Sequence, residues 1–191
     1  MRPHLLRRQD PGHTSNGSSL AGDAIITTVP TSYPFEPKSI SRLLPGQFWA
    51  VPLADGRFAC GRVLAVPRAD DPKPNRYLNN RIFVAGLMNW TGDHPPDSEA
   101  IADSELIAQG SMHVIGLTDS GSQILGRRAL ELDGISGLLE LSHGGGGTVW
   151  LFRGGARLRP ASDEEQRTLP IMSSWGRRYI VALANDLLLD P

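Results

Sequence analysis

Apolar and polar positions divide this chain into a polar, broken beginning and a longer remainder in which short apolar runs alternate with turn residues. From Met1 to about Lys38, stretches such as HTSNGSSLAGD and TVPTSYPFEPKS bury too little to offset the entropy of ordering. Residues 1–38 are therefore expected to form a disordered or loosely packed arm, in which Ile25, Ile26 and Val29 offer one short strand before Pro30 stops it. Residues 39–191 are expected to form a single β-rich domain.

The clearest local signal runs from Gln47 to Val66, where FWAVPL, ADG and FACGRVLAV read as strand, turn, strand. Pro52 decides the turn. A two-residue Asp55–Gly56 loop would place Pro52 at a hydrogen-bonded pair, where its missing N–H forfeits a ladder bond. A three-residue loop, Ala54–Asp55–Gly56, with Gly56 left-handed in a bulge, instead sets Leu53 opposite Arg57 and Pro52 opposite Phe58. The same register puts Trp49 across from Gly61, where the indole covers the bare glycine backbone.

RIFVAGLMNW, from Arg81 to Trp90, follows a turn-rich loop at Arg68–Asn80 and reads as a central strand, apolar on both faces. Ser98 as N-cap, with Glu99, Ile101, Glu105, Leu106 and Ala108, predicts a short amphipathic helix ending at Gly110. Strands are expected at Met112–Leu117 and Gln123–Leu130, and a hairpin at TVWLF, RGG, ARLRP after the glycines Gly144–Gly147. Ser162 and Glu165 form a capping box for a helix before Pro170. WGRRYIVALANDLLL fits strand or helix equally, with strand favoured for Tyr179–Leu183. The sum is an α+β, β-rich fold: a strongly curved antiparallel sheet or small barrel with two short helices.

Composition then narrows the chemistry. Among 191 residues, 40% are hydrophobic and 20% charged, enough for one core, while 21 Gly and 15 Pro favour short strands and turns. Nineteen Lys plus Arg against 20 Asp plus Glu leave a net charge of -1, a poor match to a surface that grips nucleic acid throughout. Cys60 is the sole cysteine, which excludes disulfides and four-cysteine zinc sites within one chain. No run approaches a membrane span and the first residues lack a secretory apolar stretch, so a cytoplasmic protein without membrane contact is expected.

Reactive constellations are missing from the pattern. His4, His13, His94, His113 and His143 fall at no spacing that brings two onto one helix face. His113, inside an apolar strand, reads as a hydrogen-bonded core or edge histidine, and Cys60, alternating with apolar neighbours, as a buried, quiet thiol. SHGGGGT lacks the Lys-Ser/Thr ending of a phosphate loop, and Arg153, Arg157 and Arg159 read as a solvated hairpin face balanced by DEE. No catalytic residue, metal site or cofactor is assigned. One asymmetry stands out: residues 82–126 hold no Lys or Arg, yet contain Asp93, Asp97, Glu99, Asp103, Glu105 and Asp119. A face built from them suits a basic partner, although an ordinary acidic loop has the same composition.

Pro45–Leu64, PGQFWAVPLADGRFACGRVL, followed by RIFVAGL and SMHVIGL, resembles the immunity protein 26 family of bacterial polymorphic-toxin systems. Members open with G-x-x-F-x-I/V-P-L-x-D/N-G-x-x-x-x-G-R/Q-V-L, matched here by Gly46, Pro52, Leu53, Asp55, Gly56, Gly61, Arg62, Val63 and Leu64. The resemblance reaches from Ser39 to Leu132 and leaves the arm and the part from Gly144 outside it. It implies a cytoplasmic protein that binds a cognate toxin and blocks it by occlusion, without chemistry of its own. PGQFWAVPL is also similar to the opening of small-barrel endoribonuclease toxins, but Gln47 replaces their acid and GRVLAVP lacks their Arg-Pro step. A barrel that reads nucleic acid or peptide through Arg153–Arg159 is a third, blander reading.

The motif residues Trp49, Pro52, Asp55, Gly56 and Gly61 are thus expected to be structural. The contact face is placed on the acidic Asp93–Glu105 region and the loop Arg68–Asn80, with Tyr77 and Trp90 as anchors and Asp93, Asp97, Glu99 and Asp103 at the rim. Trp90 discriminates: exposure beside the acidic loop supports the face, and burial makes it core. Oligomeric state and the toxin's identity are not legible.

Overall fold

The structure, a computed structural model, describes residues 32–67 and 81–189. The expected arm up to residue 31 and the loop at 68–80, Tyr77 included, lie outside the described residues. The described chain forms β1 (Gln47–Pro52), β2 (Phe58–Ala65), β3 (Ile82–Gly92), β4 (Leu106–His113), α1 (Val114–Thr118) and β5 (Ile124–Arg127). It continues through β6 (Leu139–His143), β7 (Val149–Arg153), β8 (Ala156–Pro160), α2 (Asp163–Thr168), β9 (Ser174–Trp175) and α3 (Tyr179–Leu188).

The first hairpin has the expected register, with Trp49 opposite Gly61 and Pro52 opposite Phe58. The Leu53 amide donates to Arg57 O at 2.9 Å, and Gly56 at φ +89° closes the three-residue loop. Trp49 is fully buried, and a Cβ on Gly61 would overlap its indole ring. The Asp55 carboxylate accepts from the Arg57 amide at 3.0 Å and pairs with its guanidinium at 2.6 Å, fastening the loop.

Six strands form one sheet in the order β5-β1-β2-β3-β4-β9, antiparallel except where β9 runs parallel to β4. β3 is central, as its two-sided apolar pattern requires, and Phe83–Met88 are all buried. The sheet does not close into the small barrel expected as one of two forms. Its edges are finished locally: β5 by a single bridge to Phe35, and β4 by the two-residue β9. Phe35, ahead of Ser39 in sequence, is itself buried.

Both faces are covered, by different means. On the first, Trp49, Val51, Val63, Phe83, Ala85, Leu87 and Met112 pack with Leu117 of α1 and with Ile180 and Ala184 of α3. On the second, Phe48, Cys60 and Met88 receive Ile101, while Leu64 and Val84 receive Leu130. Ile101 comes from the acidic segment and is fully buried, which contributes about 1.5–3 kcal/mol for an apolar side chain of its size.

β6, β7 and β8 form a separate three-stranded antiparallel sheet. The expected hairpin is present as β7–β8, and the capping box on α2 is complete: Glu165 N donates to Ser162 Oγ at 3.2 Å and Ser162 N to Glu165 Oε2 at 2.8 Å. The segment after α2 joins the sheets. Met172 N donates to Leu141 O of β6 at 2.6 Å, and Ser111 N of β4 donates to Ser173 O at 2.9 Å.

Three expected elements are corrected. The helix from Ser98 to Gly110 does not form. Asp97, in place of Ser98, accepts from the amides of Glu99 and Ala100, the chain turns, Asp103 takes φ +57°, and β4 begins at Leu106 opposite Met88. Pairing with β3 overrides the helical spacing. The strand expected at Met112–Leu117 ends at His113, whose Nδ1 accepts from Ile115 N at 3.1 Å and starts α1. Tyr179–Leu183 is helical, because Ile180 and Ala184, four apart, reach the first-face core together.

Candidate partner-docking face

The acidic segment is a firmly seated cover on the second face of the sheet. Pro96 and Ile101 are buried, and Asn89 N donates to Glu105 O at 2.7 Å, so the segment is tied at both ends. Asp93, Asp97, Glu99, Asp103 and Glu105 are all exposed. The amides of Ala100 and Glu99, both bonded to Asp97, hold its carboxyl below the usual range, so it stays charged as it caps the turn.

Trp90 satisfies neither half of the test set for it. It is half-buried, lies over Gly92, and packs against the cluster of Phe48, Cys60, Met88 and Ile101. One edge is therefore core and the rest borders the acidic loop. Tyr77 lies outside the described residues. The structure thus places Asp93, Asp97, Glu99 and Asp103 on one covering segment, which follows Trp90 at the end of β3.

Beneath this cover lies an arrangement that sequence reasoning missed. Arg62, in the middle of β2, is fully buried and pairs through Nη1 with Asp133 Oδ2 at 2.6 Å. Its Nη2 donates to the Arg128 carbonyl at 2.5 Å, and Arg128 Nε pairs with Asp133 Oδ1 at 2.8 Å. Asp133 Oδ1 also accepts the Asp103 amide at 3.2 Å. One carboxylate thus fastens β2, the 3-10 turn Leu130–Asp133 and the acidic segment together. Burial pushes the Asp133 carboxyl up, but hydrogen bonds from Arg62, Arg128 and the Asp103 amide outweigh it and keep the group below the usual carboxylate range. The available sequence signal was Arg62 itself: an arginine inside FACGRVLA, with apolar neighbours on both sides, requires a buried counter-ion.

Glu105, Leu106 and residues 133–138 enclose a groove of about 340 Å³ beside this latch. Just ahead of it in the chain, Glu131 and Leu132 are exposed, Leu132 at 65%. Behind the groove, Gln109 of β4 joins the large sheet to the small one. Its Nε2 donates to Leu138 O at 3.0 Å and to Glu140 Oε2 at 2.7 Å, while Oε1 accepts from Leu138 N at 2.7 Å. Burial raises the Glu140 carboxyl, and the Gln109 hydrogen bond opposes the shift without cancelling it.

Other candidate chemistry is structurally occupied. Burial pushes the Cys60 thiol up to about 12, which leaves it un-ionised at neutral pH. His113 caps α1. No group of three or more His, Cys, Asp or Glu among the described residues is arranged to hold a metal, and no helix among them is long and apolar enough to cross a membrane. On the β7–β8 hairpin, Arg159 forms a bidentate pair with Glu165 at 2.8 Å for each bond, and the Arg157 guanidinium lies 4.5 Å from the centre of the Trp150 ring. Glu165, held by Arg159 and capping its own helix, is pulled down to about 2.

The described fold is thus an open mixed sheet with an acidic segment fixed over one of its faces. Comparison with family models finds a match over part of the chain. Residues 44–133 match the family described as Immunity protein 26, which bears out the resemblance carried by Pro45–Leu64. The matched stretch runs from Leu44, just ahead of β1, to Asp133, so both members of the Arg62–Asp133 pair lie inside it. Comparison with curated proteins and with solved structures gives no match.

Proposed function

We propose that the chain is an immunity protein that binds a cognate toxin domain and neutralises it by occlusion, with no chemistry of its own. The observation that carries this reading is the acidic cover inside the family-matched region: five exposed carboxylates on a segment anchored by Ile101 and by Asp133. A pre-shaped acidic surface accelerates encounter with a basic partner and fixes its orientation, and a partner held there has its own active site or substrate path covered. The family supplies the toxin as partner, and a cytoplasmic location follows from the same reading.

The test is co-purification with the toxin domain encoded in the neighbouring reading frame, followed by affinity measurements over a range of salt. Replacing Asp97 and Glu99 together by lysine is expected to weaken binding at least tenfold at low salt and to flatten the salt dependence. Unchanged affinity would remove the acidic cover from the contact face. Asp97 also caps the turn, so Glu99→Lys alone, which leaves that cap in place, serves as the cleaner arm.

A further inference from the structure

We propose that Leu132 is the apolar anchor of the docking face and that Asp133 is the positioning residue that holds it, the partner surface being an apolar socket ringed by basic side chains. This rests on the immunity reading above and adds to it residues that lie outside the acidic segment.

Leu132 is 65% exposed, more than any other large hydrophobic residue among those described. A lone exposed leucine is ordinary on a protein surface and by itself needs no explanation. Its mounting is what differs. Leu132 sits in the turn Leu130–Asp133, with Leu130 packed on Leu64 and Val84 at one end and Asp133 fixed by two arginines at the other. Four residues gripped at both ends fix the stretch of backbone from which the exposed side chain projects.

The grip is a costly one for stability alone. Burying ions is unfavourable unless their geometry is excellent, and well-packed apolar groups often serve as well or better. Here the Arg62 Nε remains without a hydrogen-bond partner, so the cluster is not even fully satisfied. What it does supply is a fixed position for the turn and, through the Asp103 amide, for the acidic cover beside it. An anchor held rigidly before binding loses less conformational freedom on docking. Glu131 precedes Leu132 in the chain, while Asp103, through its amide, and Glu105, through the shared groove, neighbour Asp133 on its other side, so the exposed carboxylates flanking the turn are negative. The matching partner therefore presents cations around an apolar centre, the arrangement in which a few central contacts dominate affinity.

The probe is the purified toxin domain recovered with this chain in the co-purification above. Leu132→Ala is expected to weaken binding about tenfold, mainly through faster dissociation. Its salt dependence and the thermal midpoint should be unchanged, because the side chain is exposed. Leu132→Asp should weaken binding further. Asp133→Asn is followed by amide hydrogen exchange without any partner: exchange should rise at Asp103 and across residues 130–136, while α3 and the β1–β2 hairpin keep their protection. Ile180→Val is the control for a general loss of stability.

If both Leu132 variants bind as tightly as the unaltered chain while Glu99→Lys weakens binding, the anchor is wrong and the acidic face stands. If none of these variants weakens binding, or the unaltered chain forms no complex, both readings fall. A uniform rise in exchange on Asp133→Asn, matching that of Ile180→Val, would overturn the positioning role.

Discussion

The two coverings of the six-stranded sheet differ in kind. On one face α1 and α3 close over an apolar layer that includes Trp49, Val63, Phe83 and Met112. On the other face the cover consists of irregular chain, and the ions buried beneath it are Arg62 and Asp133. Helices satisfy their own backbone and need only an apolar stripe to stay in place. An irregular cover has no such internal support, so it is held by particular contacts: Ile101 in its pocket, Asp97 on the turn amides, and Asp133 on three different donors. The difference separates a face held by continuous apolar packing from one held by a few particular contacts.

The largest expected effect breaks that contrast from the second face. Asp133→Ala removes the only carboxylate bonded to Arg62 among the described residues and leaves the guanidinium buried without that counter-ion, which costs about 3–5 kcal/mol. Chemical denaturation measures the loss. It should exceed that of Asp133→Asn, which keeps one oxygen acceptor in place. A cost below about 1 kcal/mol would mean that the cluster is solvated and that the cover is held by Ile101 alone.

A smaller effect is expected on the first face. Gly61→Ala drives a Cβ into the Trp49 ring, and overpacking of this kind costs about 1–3 kcal/mol. The comparison sharpens if amide exchange then rises in the β1–β2 hairpin while the acidic cover keeps its protection. Loss of protection on both faces together would show that the sheet transmits the strain and that the two coverings do not act separately.

What was legible in the sequence follows the same division. The β1–β2 hairpin is local, and one residue, Pro52, was enough to exclude the two-residue loop and set Trp49 on Gly61. The α2 capping box is equally local. The apolar residues of α3 fit a strand or a helix until the core they reach is known, and Ile180 with Ala184 chooses the helix only in the folded chain. The acidic segment stands out by its charge, but its spacing was read as a helix because the pairing of Leu106 with Met88 is a tertiary fact. Asp133 lies 71 residues from Arg62, and nothing near either residue names the other. The candidate face was therefore half legible: its charge could be read, while the latch and the turn bearing Leu132 could not.

The smallest effect concerns the border between the two sheets, and its sign is fixed by Glu140. This carboxylate is 5% exposed and receives a hydrogen bond from Gln109, with no ion pair among the described residues. Burial raises its folded pKa above the ordinary carboxyl value of 4.5, so the neutral form is favoured in the native state. The stability it contributes is fully present below that ordinary value and is lost as pH rises through the higher, folded one. Glu140→Gln removes the titration while keeping an oxygen that can accept from Gln109. The variant should therefore be more stable than the unaltered chain at about pH 7 and gain little or nothing at about pH 4. Denaturation midpoints at the two values check this. A variant less stable at neutral pH would show that the ionised carboxylate is stabilised by more than Gln109, and the border between the sheets would then resemble the Asp133 latch instead of an uncharged clamp.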